Sequence, residues 1–192
     1  MEFSDKLKKG TEANHKILDR HKFVKNIGNK TGGYYVDLHN IILNEIKLII
    51  CKTTIEFPEY FHRFNKNYNK YRLVTNDDLY NSDSMNKYLQ KLNEDSNDKE
   101  LLLSHMYIWW LGVLYGGQMI KKVLQSYNSR DEFKEYICFI FDSDNRVEFI
   151  KKFKMYLNEH VQNEDTFIRN VNILYIFVND LFNELDNKIE EK

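Results

Sequence analysis

The sequence of 192 residues predicts an all-α fold. Proline occurs once and glycine seven times, and this scarcity favours long helices because both residues destabilise a helix interior. Apolar and polar residues do not alternate over more than about five positions, as a half-buried strand would require. Aromatic residues make up 15% of the chain, which indicates a packed core rather than disorder. We expect residues 1–192 to form one multi-helical domain.

Apolar residues at helical spacing locate the individual helices. Gly32 and Gly33 indicate a turn before the second helix, and Pro58 suits the first position of the third. Asn97 or Asp98 is the expected N-cap of the fifth helix, which is the most hydrophobic. The predicted helices span residues 3–27, 34–50, 58–71, 85–94, 99–127, 131–141, 145–160 and 164–189.

Residues 101–120, LLLSHMYIWWLGVLYGGQMI, contain no Asp, Glu, Lys or Arg. The segment is long enough to cross a bilayer, and Gly112 and Gly116 form a GxxxG pair. However, it also contains Ser104, His105 and Gln118, and the other predicted helices are amphipathic, as helices on a soluble core are. We therefore expect a buried central helix and no membrane span.

Composition limits the possible partners and compartment. The formal net charge is −1, so no basic excess indicates a nucleic-acid partner. Cys51 and Cys138 lie in apolar segments without CxxC spacing, and we expect buried, inert thiols in a reducing compartment. The first ten residues are charged and contain no apolar signal stretch. These features predict a cytoplasmic monomer.

The segment LKKGTEANHKILD, residues 7–19, contains a possible metal-ligating histidine. Asp19 follows His15 by four residues, on the same face of the predicted helix. An imidazole that binds a metal through one nitrogen needs a fixed hydrogen-bond acceptor for the other, and Asp19 has the right spacing. Lys8 lies two turns earlier on the same side. A surface histidine with an aspartate at this spacing is also common without any function.

The segment LGVLYGGQMIKK, residues 111–122, contains three glycines within a predicted helix: Gly112, Gly116 and Gly117. Each glycine costs roughly 1 kcal/mol relative to alanine in a helix interior, so the cluster needs a physical reason. A flat, bulky ligand against the backbone, a kink, or close packing with another helix would each provide one.

Together these two segments resemble heme oxygenases. Residues from Leu101 to about Lys122 match, without a gap, the distal helix of that family, whose pattern runs LGDLSGGQ. KKGTEANHKILDRHKF resembles the family's proximal helix, including Thr11 four residues before His15 and Phe23 eight residues after it. FPEYFHR, MNKYLQKL and NDLFNEL also fall at family-like spacing. The resemblance extends over nearly the whole chain and implies a heme oxygenase-like fold, with heme between the 3–27 and 99–127 helices.

The resemblance assigns roles to individual residues. It implies that His15 is the axial iron ligand, with Asp19 as its hydrogen-bond partner. The remaining histidines are interpreted as structural or solvent-exposed. The expected catalytic surface over the distal face of the heme consists of Gly112, Val113, Gly116 and Gly117. The other expected heme contacts are Lys8, Lys151 and Lys154 at the propionates, and Tyr107 and Val178 in the pocket wall.

The match fails at three positions of the distal helix. Val113 replaces the family aspartate, which holds the water network that delivers a proton to the bound oxygen. Valine can neither donate nor accept a hydrogen bond. Tyr115 replaces the serine, and Trp109 replaces an upstream arginine. Either another group such as Tyr115 organises the water, or heme is bound without efficient ring opening, or the chain has a binding or scaffolding role.

The resemblance implies an enzyme for which heme is both cofactor and substrate. Oxygen and reducing equivalents from a reductase or ferredoxin would convert heme to a biliverdin-type pigment, with release of carbon monoxide and iron. The alternative is a non-catalytic or peroxidase-like heme-binding protein, or a pseudoenzyme with an interaction role, and Val113 is the residue that favours it.

Overall fold

A computed structural model describes residues 2–28, 31–62, 79, 81–116, 120, 122–123 and 146–190, without the side chains of His62 and Val113. All regular structure in these ranges is helical, so the all-α prediction is confirmed for them. The α-helices are α1 (Phe3–Asp19), α2 (Lys22–Lys25), α3 (Gly32–Lys52), α4 (Glu59–His62), α5 (Asp83–Glu94), α6 (Lys99–Met106), α7 (Gly112–Tyr115), α8 (Arg146–His160) and α9 (Glu164–Glu190). The predicted helix at 131–141, Cys138 and Gly117 lie outside the described residues.

The predicted helix at 3–27 is in fact two helices, so that expectation was wrong. His21 has an extended backbone (φ −62°, ψ 142°), and its ring accepts a hydrogen bond from the Phe23 N–H, which caps α2. The other ring nitrogen lies 2.9 Å from the Asn183 side-chain oxygen on α9. A side chain that bonds to the nearby backbone competes with helix continuation, and here the contact with α9 stabilises the break.

Two further expectations are corrected within α3. Gly32 and Gly33 do not form a turn before the helix, because α3 begins at Gly32. Cys51 is exposed rather than buried. It follows the buried Ile50 on the last turn of the helix, and one helical step of about 100° carries it away from the core.

The predicted central helix, 99–127, is continuous but irregular over the described run 99–115. Asp98 caps it by accepting a hydrogen bond from the Leu101 N–H at 3.0 Å. A π-helical turn, Tyr107–Leu111, joins α6 to α7, and we call the whole run Lys99–Tyr115 the central helix. Trp110, almost fully buried, packs on Phe61 with ring centroids 5.3 Å apart. The expectation of a buried helix is thus confirmed.

Across the described ranges, no helix has both the length and the apolar character that a membrane crossing needs.

Helices α1 and α9 run parallel and in close contact. Lys6 pairs with Glu164 at 2.6 Å, and eight residues further along each helix the Asn14 amide donates to the Asn172 side chain at 2.8 Å. A Cβ atom at Gly10 would lie 2.8 Å from a methyl carbon of Ile168. Glycine at this position therefore allows the close approach of the two helices.

Glu184 on α9 anchors the N-terminus of α5. Its carboxylate accepts hydrogen bonds from the backbone N–H of Asp83 at 3.1 Å and of Ser84 at 2.8 Å, and it pairs with Lys188 at 2.9 Å. Burial alone would raise the pKa of Glu184, but the hydrogen bonds from Lys188 and Ser84 outweigh it and lower this pKa to about 2. A carboxylate at a helix N-terminus is also favoured by the helix dipole.

Glu184→Gln should lower the free energy of unfolding at pH 7 by about 1–2 kcal/mol, since charged hydrogen bonds are lost and the site is partly screened by solvent. Because the folded pKa lies below the unfolded value of 4.5, this stabilisation exists above pH 4.5 and disappears as pH falls toward 2. Urea unfolding at pH 7 and pH 3 measures the difference. The exposed Glu12→Gln is the control, and an equal stability difference at both pH values would contradict the assignment.

Candidate heme site

His15 and Asp19 form a close pair on the exposed side of α1. The His15 Nδ1 lies 3.0 Å from an Asp19 carboxylate oxygen, and both side chains are more than half exposed. The Nε2 of His15 has no hydrogen-bond partner among the described residues. One ring nitrogen is thus oriented by a carboxylate and the other is available, which is the arrangement that a metal-ligating imidazole needs.

Tyr175 on α9 contacts this pair, and sequence analysis missed it. Its ring meets the His15 ring edge-on, with centroids 5.8 Å apart and planes at 81°. Tyr175 is only 7% exposed. Burial raises its pKa, and nearby Tyr107 and Asp19 raise it further. The available signal was a tyrosine within the apolar face of α9, three residues before the buried Val178.

Tyr107 links the central helix to α1 one turn before His15. Its hydroxyl is hydrogen-bonded to the Thr11 hydroxyl, and burial raises its pKa more than this bond lowers it. The Thr11 hydroxyl in turn donates to the Leu7 carbonyl at 2.8 Å. The two helices that the sequence predicts to enclose a bound group are therefore joined directly, next to His15, the candidate metal ligand.

Within the described part of the chain, the central helix is uncovered at Gly112. A Cβ atom at Gly112 would meet no described heavy atom within 4 Å, whereas one at Gly116 would lie 3.1 Å from the Gly112 carbonyl oxygen. Packing against another helix therefore does not explain Gly112 in the described part of the chain. The backbone of Val113 belongs to α7, while its side chain and Gly117 lie outside the described residues.

The three lysines expected at the propionates lie in different surroundings. The Lys154 ammonium lies 6.0 Å from the ring centroid of Tyr115, so α8 brings it beside the central helix. Lys8 is exposed on α1 near Glu12, and Lys151 is exposed on α8 near Glu148. No described contact joins either of these two lysines to His15.

The other described histidines have structural roles. His21 caps α2, and burial lowers the pKa of His39 to about 4, although its bond to the Tyr35 carbonyl opposes this shift. His160 bonds to the Tyr156 carbonyl at 3.0 Å and stacks on its ring. His105 belongs to a buried network, and the side chain of His62 lies outside the described residues.

This buried network, which we call the Tyr88 network, holds the central helix against α5. The Trp109 indole N–H donates to the Tyr88 hydroxyl at 2.5 Å, and this hydroxyl lies 2.7 Å from Nδ1 of His105. Nε2 of His105 lies 2.9 Å from Asp95, which also accepts from Lys91 at 2.5 Å. Since the indole can only donate and the carboxylate can only accept, the protons of the network all point from Trp109 toward Asp95.

The charges in the Tyr88 network follow from burial and pairing. Burial raises the pKa of Tyr88 and lowers the pKa of His105, although the bond from His105 to Asp95 opposes the latter shift. Burial alone would raise the pKa of Asp95, but the bonds from His105 and Lys91 outweigh it and lower this pKa. At neutral pH the network therefore contains a neutral phenol, a neutral imidazole and a carboxylate paired with Lys91.

Comparison with known proteins agrees with this fold. The heme oxygenase family model matches residues 62–172, which is more than half of the chain, so the chain belongs to the heme oxygenase family. A heme oxygenase from Rhodella violacea is 30% identical in an alignment 142 residues long, which covers 62% of this chain and 58% of that protein. The match thus spans less than two thirds of that relative.

Solved heme oxygenases share the fold. Heme oxygenase-1 from the cyanobacterium Synechocystis, solved with heme, superposes with a TM-score of 0.74 and 18% identity, covering 100% of this chain and 95% of that chain. The heme oxygenase from Leptospira interrogans gives a TM-score of 0.70 and 19% identity, covering 96% of this chain and 100% of that chain. These identities are low, and the likeness therefore confirms the all-helical heme oxygenase fold alone.

Tyr88→Phe should destabilise the protein by about 2–4 kcal/mol, because the Trp109 N–H and the Nδ1 of His105 would both remain buried without a partner. Tyr60→Phe is the matched control, since the Tyr60 hydroxyl makes only an exposed contact of 3.4 Å with the Lys152 carbonyl. Urea unfolding followed by circular dichroism compares the two variants. Equal stabilities would show that the Tyr88 hydroxyl does not hold the network together.

Proposed function

We propose that this chain binds heme between α1 and the central helix and opens the heme ring oxidatively, giving a biliverdin-type pigment, carbon monoxide and iron. One observation carries the proposal: His15 has one ring nitrogen 3.0 Å from Asp19 and the other without a partner among the described residues. Membership in the heme oxygenase family supports it.

The residues around His15 fit an iron porphyrin. Such a ligand is flat, needs an axial imidazole, and requires a surface on the opposite face on which no side chain intrudes. His15 supplies the imidazole. Gly112 supplies open space, since no described atom lies within 4 Å of the position of its missing Cβ. Tyr107, on the central helix, hydrogen-bonds to Thr11 on α1. Its ring would therefore form a side wall of the pocket between these two helices.

Each residue of the proposed site has a distinct task. Asp19 would make the His15 imidazole more basic and fix its orientation. When bound, the heme would supply both the redox-active iron and the carbon that is oxidised. The backbone of Gly112, Val113, Gly116 and Gly117 would form the distal surface. Tyr107 and Val178 would line the pocket, and the residues proposed to meet the propionates are Lys8, Lys151 and Lys154.

The reaction also needs partners. We propose that oxygen is the co-substrate and that a reductase or ferredoxin supplies the electrons. The functional unit proposed is residues 1–192 as a single domain, acting as a cytoplasmic monomer without a nucleic-acid or membrane partner. A formal net charge of −1 supports the absence of nucleic-acid binding.

A second candidate function is heme binding without ring opening, either non-catalytic, as in a pseudoenzyme with an interaction role, or peroxidase-like. Val113 favours it because valine cannot hold a water network. Trp109 favours it too, since its indole N–H donates into the core to Tyr88 at 2.5 Å and so does not replace a polar group at the site. Tyr115, which ends the central helix and is 54% exposed, is the group that favours the enzyme, because no described residue bonds to its hydroxyl, which would then organise water.

His15→Ala should abolish the histidine-ligated Soret band and weaken heme binding by on the order of a hundredfold. This loss is at least as large as that caused by removing a residue that only hydrogen-bonds to a metal ligand. His21→Asn is the control, since asparagine retains a cap for α2. Heme titration followed by absorbance compares both variants with the wild type. The same Soret band and affinity in His15→Ala would exclude His15 as the ligand.

Val113→Asp should raise the yield of pigment in a single turnover by on the order of tenfold, somewhat less than positioned proton delivery commonly contributes. The measurement is absorbance of the heme complex after reductant and oxygen are added. Val113→Asn is the control, because it adds a polar group of similar size without a carboxylate. If the variants bind heme and neither they nor the wild type convert it, ring opening is excluded and the heme-binding alternative stands.

A further inference from the structure

The Tyr88 network has the chemistry of a redox-active tyrosine. A phenol that loses one electron becomes a strong acid, so its oxidation is easy only where a base can take the proton at once. The Tyr88 hydroxyl lies 2.7 Å from Nδ1 of His105, and this nitrogen is the unprotonated one because Nε2 donates to Asp95 at 2.9 Å. Asp95 would then stabilise the imidazolium that forms.

Burial would protect the product. Tyr88 and His105 have no solvent exposure, and Asp95 is 3% exposed. A neutral phenoxyl radical at Tyr88 would therefore be shielded from solvent and from other molecules. The proton would remain within the network, because the imidazolium is enclosed between Tyr88 and Asp95.

Trp109 provides a second oxidisable ring, next to Tyr88 and on the helix that carries Gly112. Its ring centroid lies 5.7 Å from that of Tyr88, and its N–H donates to the Tyr88 hydroxyl. Along the central helix it precedes Gly112 by three residues, an axial rise of only about 4.5 Å. The Trp109 backbone therefore belongs to the same stretch of helix as Gly112, while the Trp109 ring lies in the core.

We propose that Tyr88 is a redox-active tyrosine, with His105 as its proton acceptor and Trp109 as the relay that carries oxidising equivalents from the heme site into the core. Trp109 would give one electron to a one-electron oxidant at the site, and an iron porphyrin oxidised by peroxide would supply this chemistry. Trp109 recovers this electron from Tyr88, and the Tyr88 O–H proton moves to Nδ1 of His105. The oxidant is reduced by one electron, and the final products are a neutral phenoxyl radical and an imidazolium paired with Asp95.

The origin of the oxidant at the site rests on the proposed heme binding, but the redox activity of Tyr88 does not. The first experiment therefore uses the heme-free full chain with a photo-oxidised ruthenium tris-bipyridine complex, followed by rapid-freeze electron paramagnetic resonance. The wild type should give a long-lived neutral tyrosyl signal. Tyr88→Phe should lose this signal, whereas Tyr60→Phe should retain it.

The His105→Gln variant separates the role of His105 as proton acceptor from its structural role in the network. Glutamine keeps a hydrogen-bond acceptor for Tyr88 but cannot take its proton, so the radical should form on the order of a hundredfold more slowly, as expected for loss of a positioned base. This variant also decides the outcome if Tyr88→Phe does not fold. A tyrosyl signal that is unchanged in His105→Gln, or in a folded Tyr88→Phe, overturns the proposal.

The relay is tested in the heme-loaded protein with hydrogen peroxide. The same tyrosyl signal should appear. Trp109→Phe should lower the yield of this signal by on the order of tenfold or more, an effect comparable to the loss of one positioned catalytic group. The heme absorbance should not change. If heme binds and peroxide gives no tyrosyl signal, the relay from the site is overturned. If heme does not bind, the proposed function fails, while the result with the ruthenium oxidant still decides the redox activity of Tyr88.

Discussion

The close parallel packing of α1 against α9 is the constraint on which the candidate site depends. Gly10 lets the two helices approach until Ile168 occupies the space of a side chain, and the bond between Asn14 and Asn172 then fixes their relative position along the axis. This contact places Tyr175 edge-on against His15. A shift of one helix along the other would separate the imidazole from the ring that supports it.

The central helix has to satisfy two demands. It leaves the Gly112 backbone without a described heavy atom within 4 Å of a Cβ position, and it carries Trp109 and His105 into the core. Burying these polar groups would be costly if they were unpaired, and the Tyr88 network gives every one of its donors an acceptor. The π-helical turn at Tyr107–Leu111 contains Trp109 and ends directly before Gly112, consistent with the frequent occurrence of such turns at functional sites.

The site contains hydroxyl donors but no described carboxylate on the central-helix side. Burial raises the pKa of both Tyr107 and Tyr175, so each stays a neutral hydroxyl at physiological pH. Such groups can donate one hydrogen bond and accept others, but they lack the negative charge and the second acceptor oxygen of an ionised aspartate. The resemblance implies an aspartate at position 113, and valine there would change the type of chemistry that is available, as well as one contact.

Local sequence determined the all-helical fold and the His15–Asp19 pair, because both follow from backbone geometry within a few residues. The scarcity of breakers predicts helices, and the spacing of four residues brings two side chains together on any helix. Only the tertiary structure decided the break at His21, the exposure of Cys51 and the place of Tyr175. The break at His21 and the place of Tyr175 depend on contacts with α9, which lies at the opposite end of the chain. The exposure of Cys51 depends on which face of α3 meets the core. Apolar periodicity does not specify how helices pair.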